Sequence, residues 1–390
     1  MDQIHREAAG MGRQVESAGV GVGRSVLICG ASFAGLATAY WMNRLGYEVT
    51  VVEIAKNLKR GGSPVDIRDG IIEIVKRMGI FDALAAHSLP PRATEFRSAD
   101  DTLRGRFPQQ PATGDGADGF EIERDILLDV MFAQIDGKIE ILFDNTVDDL
   151  QETADGLCTR FADGTQRMFS LVFGCDGNHS LLRAMLFGPE SDFSHFLGLY
   201  FSISIVDKLI IAANVTQIHS VPGRTVMLNS YEDKTDIVFC FHADAELPYD
   251  HRDQDQQRGI VKRHFAGLRW KIPALLEEVG RSDSFYFDKM CQIKMSSWSK
   301  GRVALVGDAA YCASPAAGMG GSLAIVGAAT LAEAFERYGD DHAAAFEAYD
   351  RSLRPFIEQV QAEAATFGLA MFMPGTEEAI CMRDQQLSAP

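Results

Sequence analysis

The sequence predicts an α/β fold in which a parallel-sheet domain is interwoven with a smaller β-sheet domain and followed by C-terminal helices. Three short apolar runs, at 25–29, 168–173 and 302–306, each lead into a glycine-containing turn and a helical segment. Such runs are typical of buried parallel strands. Between 189 and 287 the pattern changes to short β-branched and aromatic runs, which favour an antiparallel sheet.

The stretch from Ser25 to Glu53 carries the most informative motif. An apolar strand is followed by Gly30-Ala-Ser-Phe-Ala-Gly35, which opens a helix. In such a unit Gly30 permits the tight turn, Gly35 lets helix and strand pack closely, and the helix N-terminus faces a pyrophosphate. Glu53 follows Gly35 by 18 residues and is placed to accept from a ribose hydroxyl. Ser32 replaces the usual middle glycine and is interpreted as a tolerated variant. The stretch predicts a Rossmann-type dinucleotide site, against the alternative of an ordinary βαβ turn without ligand.

Composition and charge exclude several classes of function. The formal net charge of −17 argues against nucleic acid and anionic membrane surfaces as partners, because both require a basic footprint. The seven cysteines form no CxxC pair and the nine histidines no HxH or HxxxH pair, so neither a disulfide framework nor a metal site is predicted. The segment 1–24 has no apolar core, so we expect a mobile tail and a cytoplasmic protein.

The remaining elements are predicted from local patterns. Strands are expected at apolar, β-branched or aromatic runs bounded by turn residues, at Glu48–Val52, Ala93–Ser98 (an edge strand), Ile139–Thr146, Cys158–Phe161, Met168–Phe173, Tyr200–Ile205, Thr225–Ser230, Asp236–Phe241 and Arg302–Val306. Helices are expected at runs with helical spacing of apolar residues, at 35–45, 71–84, Glu121–Phe132, Asp255–Trp270, 318–338, Asp341–Met371 and Glu377–Arg383.

Two arginines stand out in these elements. Arg124 lies near the start of a predicted helix, where a cation opposes the macrodipole, so we expect it to have another partner. Arg68 stands in the short extended piece PVDIRDG. It is either a solvated arginine or a side chain that reaches toward the bound ligands.

Three motifs occur in fixed order over nearly the whole chain: GASFAG at 30–35, GCDGNHSLLR at 174–183 and GDAAYCASPAAGMGG at 307–321. Together they resemble the single-component FAD-dependent aromatic hydroxylases, which share the fold of para-hydroxybenzoate hydroxylase. Within that family the chain is most similar to the tetracycline destructases. The matching pieces are GGSPVDIRDG at 61–70, the run at 285–312 and SLAIVGAATLAEAF at 322–335.

The resemblance implies a Rossmann-type FAD-binding domain and a set of residues around FAD. Those that would hold the cofactor are Gly30, Ser32, Phe33, Ala34, Gly35, Glu53, Arg124, Asp176, Gly177, Gly307, Asp308, Pro315, Gly318, Gly320, Gly321 and Ser322. Arg183 would close the second motif, whereas His179 inside it is expected to do nothing chemical. Met319 and Ser322 depart from the family pattern, where many relatives carry Gln and Asn, and both changes remove polar contacts near the flavin or the substrate.

The implied activity is that of a monooxygenase. NADPH or NADH, bound transiently, would reduce FAD, and O2 captured as a flavin C4a-hydroperoxide would hydroxylate a polycyclic phenol or enol. The cofactor carries this chemistry, while the protein supplies orientation and charge. Arg124, Asp308 and Pro315 are the residues most directly implicated. The expected partners are thus a small aromatic molecule and O2, and the protein is expected to be a monomer or weak dimer.

Substrate contacts are predicted from strand alternation, which would turn every second residue of the middle sheet toward the flavin. The candidates are Tyr200, Ser202, Met227, Asn229, Phe239 and Phe241, together with Arg68 from its place in the family pattern. For the apolar members, core packing is the alternative.

The sequence leaves several functions open. They are inactivation of a tetracycline-type antibiotic, hydroxylation of an aromatic polyketide or other aromatic compound in a pathway, and sequestration of a ligand by a flavin-bound protein without activity. A halogenase is discarded because the three tryptophans stand apart. The expected division of the chain is 1–24 as a tail, 25–87, 119–188 and 288–340 as the FAD-binding domain, 88–118 and 189–287 as the substrate domain, and 341–390 as a helical segment.

Overall fold

The computed structural model describes residues 23–107 and 119–386. Nearly all of the predicted N-terminal tail, and residues 108–118 of the predicted substrate domain, lie outside this part of the chain. In the described ranges the strands are β1 (Ser25–Cys29), β2 (Glu48–Val52), β3 (Val65–Ile67), β4 (Ala93–Arg97), β5 (Leu103–Phe107), β6 (Phe120–Ile122), β7 (Glu140–Leu142), β8 (Val147–Glu152), β9 (Leu157–Phe161), β10 (Gln166–Phe169), β11 (Leu171–Gly174), β12 (Ser194–Val206), β13 (Val215–Val221), β14 (Arg224–Tyr231), β15 (Lys234–His242), β16 (Ser284–Ile293), β17 (Ser299–Lys300) and β18 (Val303–Leu305).

Helices lie between the strands over most of the described chain, and five helices follow the last strand, β18. Those in the same described ranges are α1 (Phe33–Arg44), α2 (Gly70–Arg77), α3 (Phe81–Ala85), α4 (Arg124–Ile135), α5 (Leu181–Leu186), α6 (Gln254–Phe265), α7 (Ile272–Arg281), α8 (Asp308–Tyr311), α9 (Gly320–Tyr338), α10 (His342–Glu363), α11 (Leu369–Phe372) and α12 (Glu377–Gln386). Helix α10 continues into a π-helical segment, Ala364–Gly368. The predicted α/β fold is confirmed.

The first sheet forms the centre of the half of the molecule that contains the three glycine motifs. Among the described residues it has six strands in the order β17-β18-β11-β1-β2-β7. The pairs from β18 to β7 are parallel, and only β17 runs antiparallel. Strands β1 and β11 are almost wholly buried, because helices cover a parallel sheet on both faces. This order places the carboxyl ends of β1, β11 and β18 side by side.

The predicted strand at 168–173 is two strands. The chain breaks at Ser170, which donates its hydroxyl hydrogen to the carbonyl of Ser25 at 2.5 Å. Residues before it belong to β10 of a sheet with β8 and β9, and residues after it belong to β11 of the first sheet. A continuous apolar run therefore hid a change of sheet.

The second sheet is antiparallel apart from one pair. In the described part of the chain its order is β16-β12-β15-β14-β13-β4-β5, and β4 pairs with β13 in parallel. Strand β4 was predicted as an edge strand, but it lies between β13 and β5, so that prediction is wrong. Strands β13 and β16 and helix α7 were not predicted.

The two faces of this sheet have different surroundings. One face packs on α6 and α7, where Tyr200 and Phe239 join a buried cluster with Ile260 and Leu275. The other face, which includes Phe201, lies against Ala316 of the third glycine motif and Met373 of the C-terminal segment. The second face is therefore the one that looks toward the predicted flavin site.

This arrangement corrects the predicted substrate contacts. Tyr200, Phe239 and Phe241 belong to the cluster against α6 and α7, and Ser202 shares their face because it is paired with Phe239 and lies two residues from Tyr200. These four point away from the flavin side. Alternation identified residues that share a face, but it could not identify which face a helix covers.

Met227 and Asn229 keep their predicted orientation. Met227 packs against the cluster that contains Ala316, and Asn229 follows it by two positions on the same face. The Thr216 hydroxyl donates to Asn229 Oδ1 at 2.9 Å. Arg68 lies just after β3, half-exposed, with its Nε 2.9 Å from Asp66 Oδ1.

Asp236 is a fully buried carboxyl group in β15, and we expect it to make stability depend on pH. Burial raises its pKa to about 7, although the Tyr231 hydroxyl donates to Oδ1 at 2.8 Å. An unfolded aspartate ionises near pH 4. Between about pH 4 and pH 7 unfolding therefore releases a proton, and the folded state loses stability as pH rises through this range.

Replacing Asp236 with asparagine removes this titration. We expect Asp236→Asn to match the wild type near pH 4 and to exceed it by roughly 2 kcal/mol or more near pH 7.5. Urea unfolding at several pH values measures the difference. A difference that stays constant from pH 4 to 7.5 would contradict the assignment.

Candidate functional site

Three turns meet at the carboxyl edge of the first sheet. The N–H of Cys175 donates to the Cys29 carbonyl at 2.8 Å, and the N–H of Val306 donates to the Gly174 carbonyl at 2.8 Å. The turns that begin at Gly30, after β11 and at Gly307 are therefore adjacent, although they come from distant parts of the chain. Ligands of open parallel sheets bind at this edge.

Two glycines make the contact between the first two turns feasible. Gly30 has φ of +103°, and a Cβ added there would lie 2.4 Å from the Cys175 carbonyl oxygen. A Cβ added to Gly35 would lie 1.8 Å from the Gly30 carbonyl oxygen. No side chain fits at either position, so helix α1 can approach the turn only because both residues are glycine.

The third turn packs directly on the first. A Cβ on Gly307 would lie 3.0 Å from the Ala34 Cβ, and one on Gly321 would lie 3.2 Å from the Phe33 ring. Phe33 and Ala34 are themselves buried. Their side chains thus join two parts of the site, and any contact with a cofactor would come from their backbone N–H groups.

Two helix N-termini at this edge have no capping side chain. Helix α1 begins after Ser32 and helix α9 after Met319, and neither has a side-chain cap or an acidic residue in its first turn. Helices α6 and α10, by contrast, are capped by Asp253 and Asp341. The free N–H groups and the positive end of the helix dipole suit an anionic group such as a pyrophosphate.

Glu53 organises the loop beside the first turn. Its carboxylate accepts from the N–H of Ala31 at 2.8 Å and from the N–H of Ala55 at 2.9 Å. Each oxygen keeps a second lone pair for a hydroxyl donor. The carboxylate is partly exposed, which fits the predicted role toward a ribose.

Arg124 connects α4 to the first turn. Its guanidinium donates to the carbonyls of Lys59 at 3.0 Å and Gly61 at 2.8 Å, and lies 3.3 Å from Ser32 Oγ and 5.0 Å from the centre of the Phe33 ring. These carbonyls are the partners that its place at a helix N-terminus required. Burial lowers its pKa, and the charge of Asp125 opposes this shift. Its hydrogen-bond partners in the described part of the chain are carbonyl and hydroxyl oxygens, so an anionic ligand at this place would meet the cation.

The second motif is held together by buried charges. Asp176 accepts from the Ser180 hydroxyl at 2.5 Å and from the N–H of Leu182 at 3.1 Å, and burial raises its pKa. Arg183 is fully buried and donates to the Ala309 carbonyl at 2.9 Å, which ties this motif to the third one. Gly177 has φ of +78° and open space where a Cβ would lie.

The third motif borders open space. Gly318 and Gly320 have no atom within 4 Å of an added Cβ, and Pro315 is exposed. Burial raises the pKa of Asp308 to about 6. The Ser322 hydroxyl does not face this space, because it donates to the Asp66 carbonyl at 3.0 Å. Its side chain therefore packs α9 on β3, which corrects its expected contact with the cofactor.

The site fits a flavin dinucleotide. One edge of the sheet combines two uncapped helix N-termini, the cation of Arg124 and glycines that border open space. A cavity of about 630 Å³ continues from Gly61, Gly62 and Arg124 toward Tyr231, Lys234 and Ser284 of the second sheet. Among the described residues no cluster of His, Cys, Asp or Glu could hold a metal ion.

The sequence did not reveal Tyr286 and Asp288, which lie on the flavin-side face of β16. The Tyr286 hydroxyl donates to Asp288 Oδ2 at 2.8 Å. His179, expected to have no chemical role, places Nε2 3.2 Å from the same oxygen and Nδ1 2.8 Å from Glu190 Oε2. The signal in the sequence was the spacing of Tyr286 and Asp288, which lie two positions apart and so share one face of a strand.

Known proteins resemble this chain over most of its length. A family model described as an FAD binding domain matches residues 24–364. An uncharacterized protein of Mycobacterium tuberculosis is 35% identical over 344 residues, which cover 87% of this chain and 92% of that protein. A flavin-dependent monooxygenase from an unknown prokaryotic organism is 32% identical over 343 residues, 87% of this chain and 88% of the relative. The crystal structure of tetracycline destructase Tet(51) has a TM-score of 0.83 at 30% identity and covers 93% of this chain and 95% of that one.

In the described part of the chain, no helix has the length and apolar character needed to cross a membrane.

Proposed function

The chain belongs to the family of FAD-dependent monooxygenases with this FAD-binding domain, and from that membership we propose that it uses NADPH or NADH and O2 to hydroxylate a polycyclic phenol or enol. A tetracycline-type antibiotic is the proposed substrate. The similarity to Tet(51) supports this choice. The observation that carries the proposal is the junction of three distant turns at one sheet edge.

The residues at this edge would divide the work of binding FAD. The N-terminus of α1 and Arg124 would hold the diphosphate, Glu53 the ribose, and Asp308 the ribityl chain. The loop from Pro315 to Gly320 would border the flavin ring, and the dipole of α9 would place partial positive charge beside it. Bound FAD supplies the redox chemistry with O2; the protein residues orient the ring and keep water from it.

The apolar wall that packs on this loop has a partly exposed edge, at Ile203 and Met227, which suits a flat polycyclic substrate. Phe201, Val238 and Met290 of the second sheet form a buried cluster with Ala316 and Met373. Such surfaces select ligands by shape and apolar area, with few polar groups to fix the orientation. Met227 at the edge of this wall, Asn229 on the same face of the sheet and Arg68 after β3 are the proposed substrate contacts that remain from the sequence.

The binding part of the proposal is tested by FAD titration of two arginine variants. Arg124→Met removes a partly buried cation and should weaken FAD affinity by roughly tenfold to a hundredfold, because charge-assisted contacts contribute about 1.5–3 kcal/mol. Arg351→Met is the control, since Arg351 forms an exposed pair with Glu347 in α10 and should leave affinity within about twofold. Flavin fluorescence quenching measures both constants.

The catalytic part is tested with a panel of tetracyclic, anthracyclic and phenolic compounds. We expect tetracycline to lose its chromophore only when NAD(P)H and O2 are present, with a product heavier by one oxygen atom. Oxidation of another aromatic compound, with tetracycline unchanged, would point to a pathway hydroxylase. If FAD binds but no compound promotes NAD(P)H oxidation, the protein is a ligand binder; if FAD does not bind, the proposal fails.

A further inference from the structure

A chain of three side chains runs from the flavin-side face of the second sheet to the protein surface. Tyr286 donates to Asp288 Oδ2 at 2.8 Å, and Nε2 of His179 lies 3.2 Å from the same oxygen. None of these residues is among those that would hold FAD. They lie between the second glycine motif and strand β16, so they bridge the two halves of the molecule.

The inner end of the chain is Tyr286, which pairs with Ile203 and therefore lies on the flavin-side face of the second sheet. It keeps 40% of its surface accessible although it lies on the inward face of the sheet. Its ring lies 5.6 Å from that of Phe201 and 5.3 Å from the ammonium group of Lys59. Burial and the charges of Asp288 and Asp308 raise the pKa of its hydroxyl. The hydroxyl is therefore neutral at physiological pH, and it lies on the face of the sheet that looks toward the predicted flavin site.

The outer end is His179, whose side chain is 36% exposed. Its Nδ1 lies 2.8 Å from Glu190 Oε2, and its ring stacks on that of His251 with centres 5.5 Å apart. Asp288 and Glu190 raise its pKa to about 9. At neutral pH His179 therefore carries a proton on both ring nitrogens and can exchange with solvent.

The groups around the chain keep Asp288 ionised. Burial alone would raise its pKa, but hydrogen bonds from His179, Tyr286 and Tyr249 bring it below the ordinary value. Tyr249 donates to Oδ1 at 2.9 Å from the opposite side. Lys289 donates its backbone N–H to the same oxygen at 2.8 Å, while its ammonium lies between Glu190 and Glu246. The Asn178 amide, 3.5 Å from Oδ2, adds a weaker contact.

The remaining charge near the outer end is Arg183. Its guanidinium lies 3.7 Å from Glu190 Oε2, so Glu190 is shared between Arg183, His179 and Lys289. The resting chain therefore consists of a neutral tyrosine, an anionic aspartate and a cationic histidine, with a second carboxylate outside. This order allows a proton to move inward from His179.

The proposed reaction requires such a proton. Hydroxylation follows substrate–H + O2 + NAD(P)H + H⁺ → substrate–OH + H2O + NAD(P)⁺, so one proton must enter from solvent in each turnover. The apolar wall around Phe201 and Met290 offers no donor of its own. We propose that Tyr286, Asp288 and His179 form the path that delivers this proton, an inference that rests on the function proposed above.

The transfer is balanced as follows. The Tyr286 O–H bond breaks and its proton passes to a basic oxygen in the cavity. Tyr286 regains a proton through Asp288, which takes it from Nε2 of His179. His179 becomes neutral and keeps the proton on Nδ1, which stays hydrogen-bonded to Glu190. Nε2 then regains its proton from solvent. No electrons move along this path.

The experiment compares two tyrosines that donate to the same carboxylate. Tyr286→Phe and Tyr249→Phe each remove one hydroxyl from Asp288, but Tyr249 packs on Tyr200 and Phe287 away from the flavin-side face. We expect Tyr286→Phe to lower kcat by roughly tenfold or more, with FAD affinity and substrate KM within about twofold of the wild type. Tyr249→Phe should stay within about twofold in all three quantities.

The pH dependence of kcat and an NMR titration both report on the protonation of His179. The wild-type kcat should fall as pH rises through about 9, because neutral His179 has no proton to deliver. Asp288→Asn interrupts the path, so its kcat should be low at every pH and should lose this fall. The pKa of the His179 ring, read by NMR without turnover and assigned through His179→Gln, should move in Asp288→Asn toward 6.5, the ordinary histidine value.

The outcomes separate the path from the proposed function. Wild-type protein that does not bind FAD or oxidise NAD(P)H defeats the function, whatever the NMR titration shows. If the wild type is active and the two tyrosine variants have the same kcat, Asp288 is only a structural acceptor and the path is wrong. A wild-type kcat that does not change between pH 8 and 10 would also overturn it.

Discussion

Replacing Gly35 with alanine is expected to abolish FAD binding at micromolar concentrations and to destabilise the protein by about 3 kcal/mol or more. The added Cβ would lie 1.8 Å from the Gly30 carbonyl oxygen, which is backbone and cannot swing aside as a side chain could. Helix α1 must therefore move away from the turn, and its N-terminus would no longer lie beside the motifs at Asp176 and Gly307. Denaturant unfolding and FAD titration measure the two effects.

Gly259→Ala provides the matched control. Gly259 lies within helix α6, where an added Cβ would meet only the far end of the Arg263 side chain at 3.4 Å. The same substitution should therefore stabilise the protein, by about 0.5–1 kcal/mol, because alanine favours a helix. Unchanged FAD affinity in Gly35→Ala would show that α1 does not contribute to the site.

Arg183→Met should have the second large effect. Arg183 is fully buried and joins the second and third motifs through its hydrogen bonds to the carbonyls of Asn178 and Ala309. Methionine fills much of the volume but leaves both carbonyls without this donor and removes one of the three cations near Glu190. We expect a loss of about 3–5 kcal/mol in the free energy of unfolding, together with weaker FAD binding.

An exposed arginine provides the comparison. Arg167 pairs with Glu140 on the surface, with 40% of its side chain accessible. Arg167→Met should cost at most about 1 kcal/mol. Arg183→Lys keeps the charge but cannot span two carbonyls, so its stability should lie between those of the wild type and Arg183→Met. Equal losses for Arg167→Met and Arg183→Met would mean that burial of Arg183 carries no special weight.

The first sheet could be predicted from sequence because local and global signals agree there. The run Ser25–Cys29, the glycines at 30 and 35 and the Ala-rich helix α9 each have one low-energy conformation. The resemblance of three motifs then indicated that their turns lie together, and the hydrogen bonds between Cys29 and Cys175 and between Gly174 and Val306 join them. Sequence spacing alone could not have supplied those contacts.

The second sheet was harder to predict because its helix-covered face and its flavin-side face carry similar residues. Tyr200 and Phe201 are both aromatic and both buried, so hydropathy does not distinguish the helix-covered face from the flavin-side face. Helix α7 was missed, and with it Leu275, which shares a buried cluster with Phe239. Four of the predicted substrate contacts were assigned to the wrong face for this reason.

Buried polar chains are invisible to pattern analysis for a similar reason. His179 lies in the sequence among FAD-motif residues and Asp288 lies 109 positions away. Because the two residues are so far apart, no short sequence motif contains both. Tyr286 occurs in a strand, β16, that was not predicted. Only the folded arrangement brings the three together.

The strand order of the first sheet also determines when this sheet can form during synthesis of the chain. Strand β1 is made early, yet its neighbour β11 ends at residue 174 and the next strand, β18, ends at residue 305. Until translation has passed that point, the apolar edge of a half-built sheet has no permanent neighbour. Sheets that wait for such remote partners form slowly and expose sticky surface to chaperones and to other nascent chains. The pocket for the coenzyme is thus among the last features that synthesis completes.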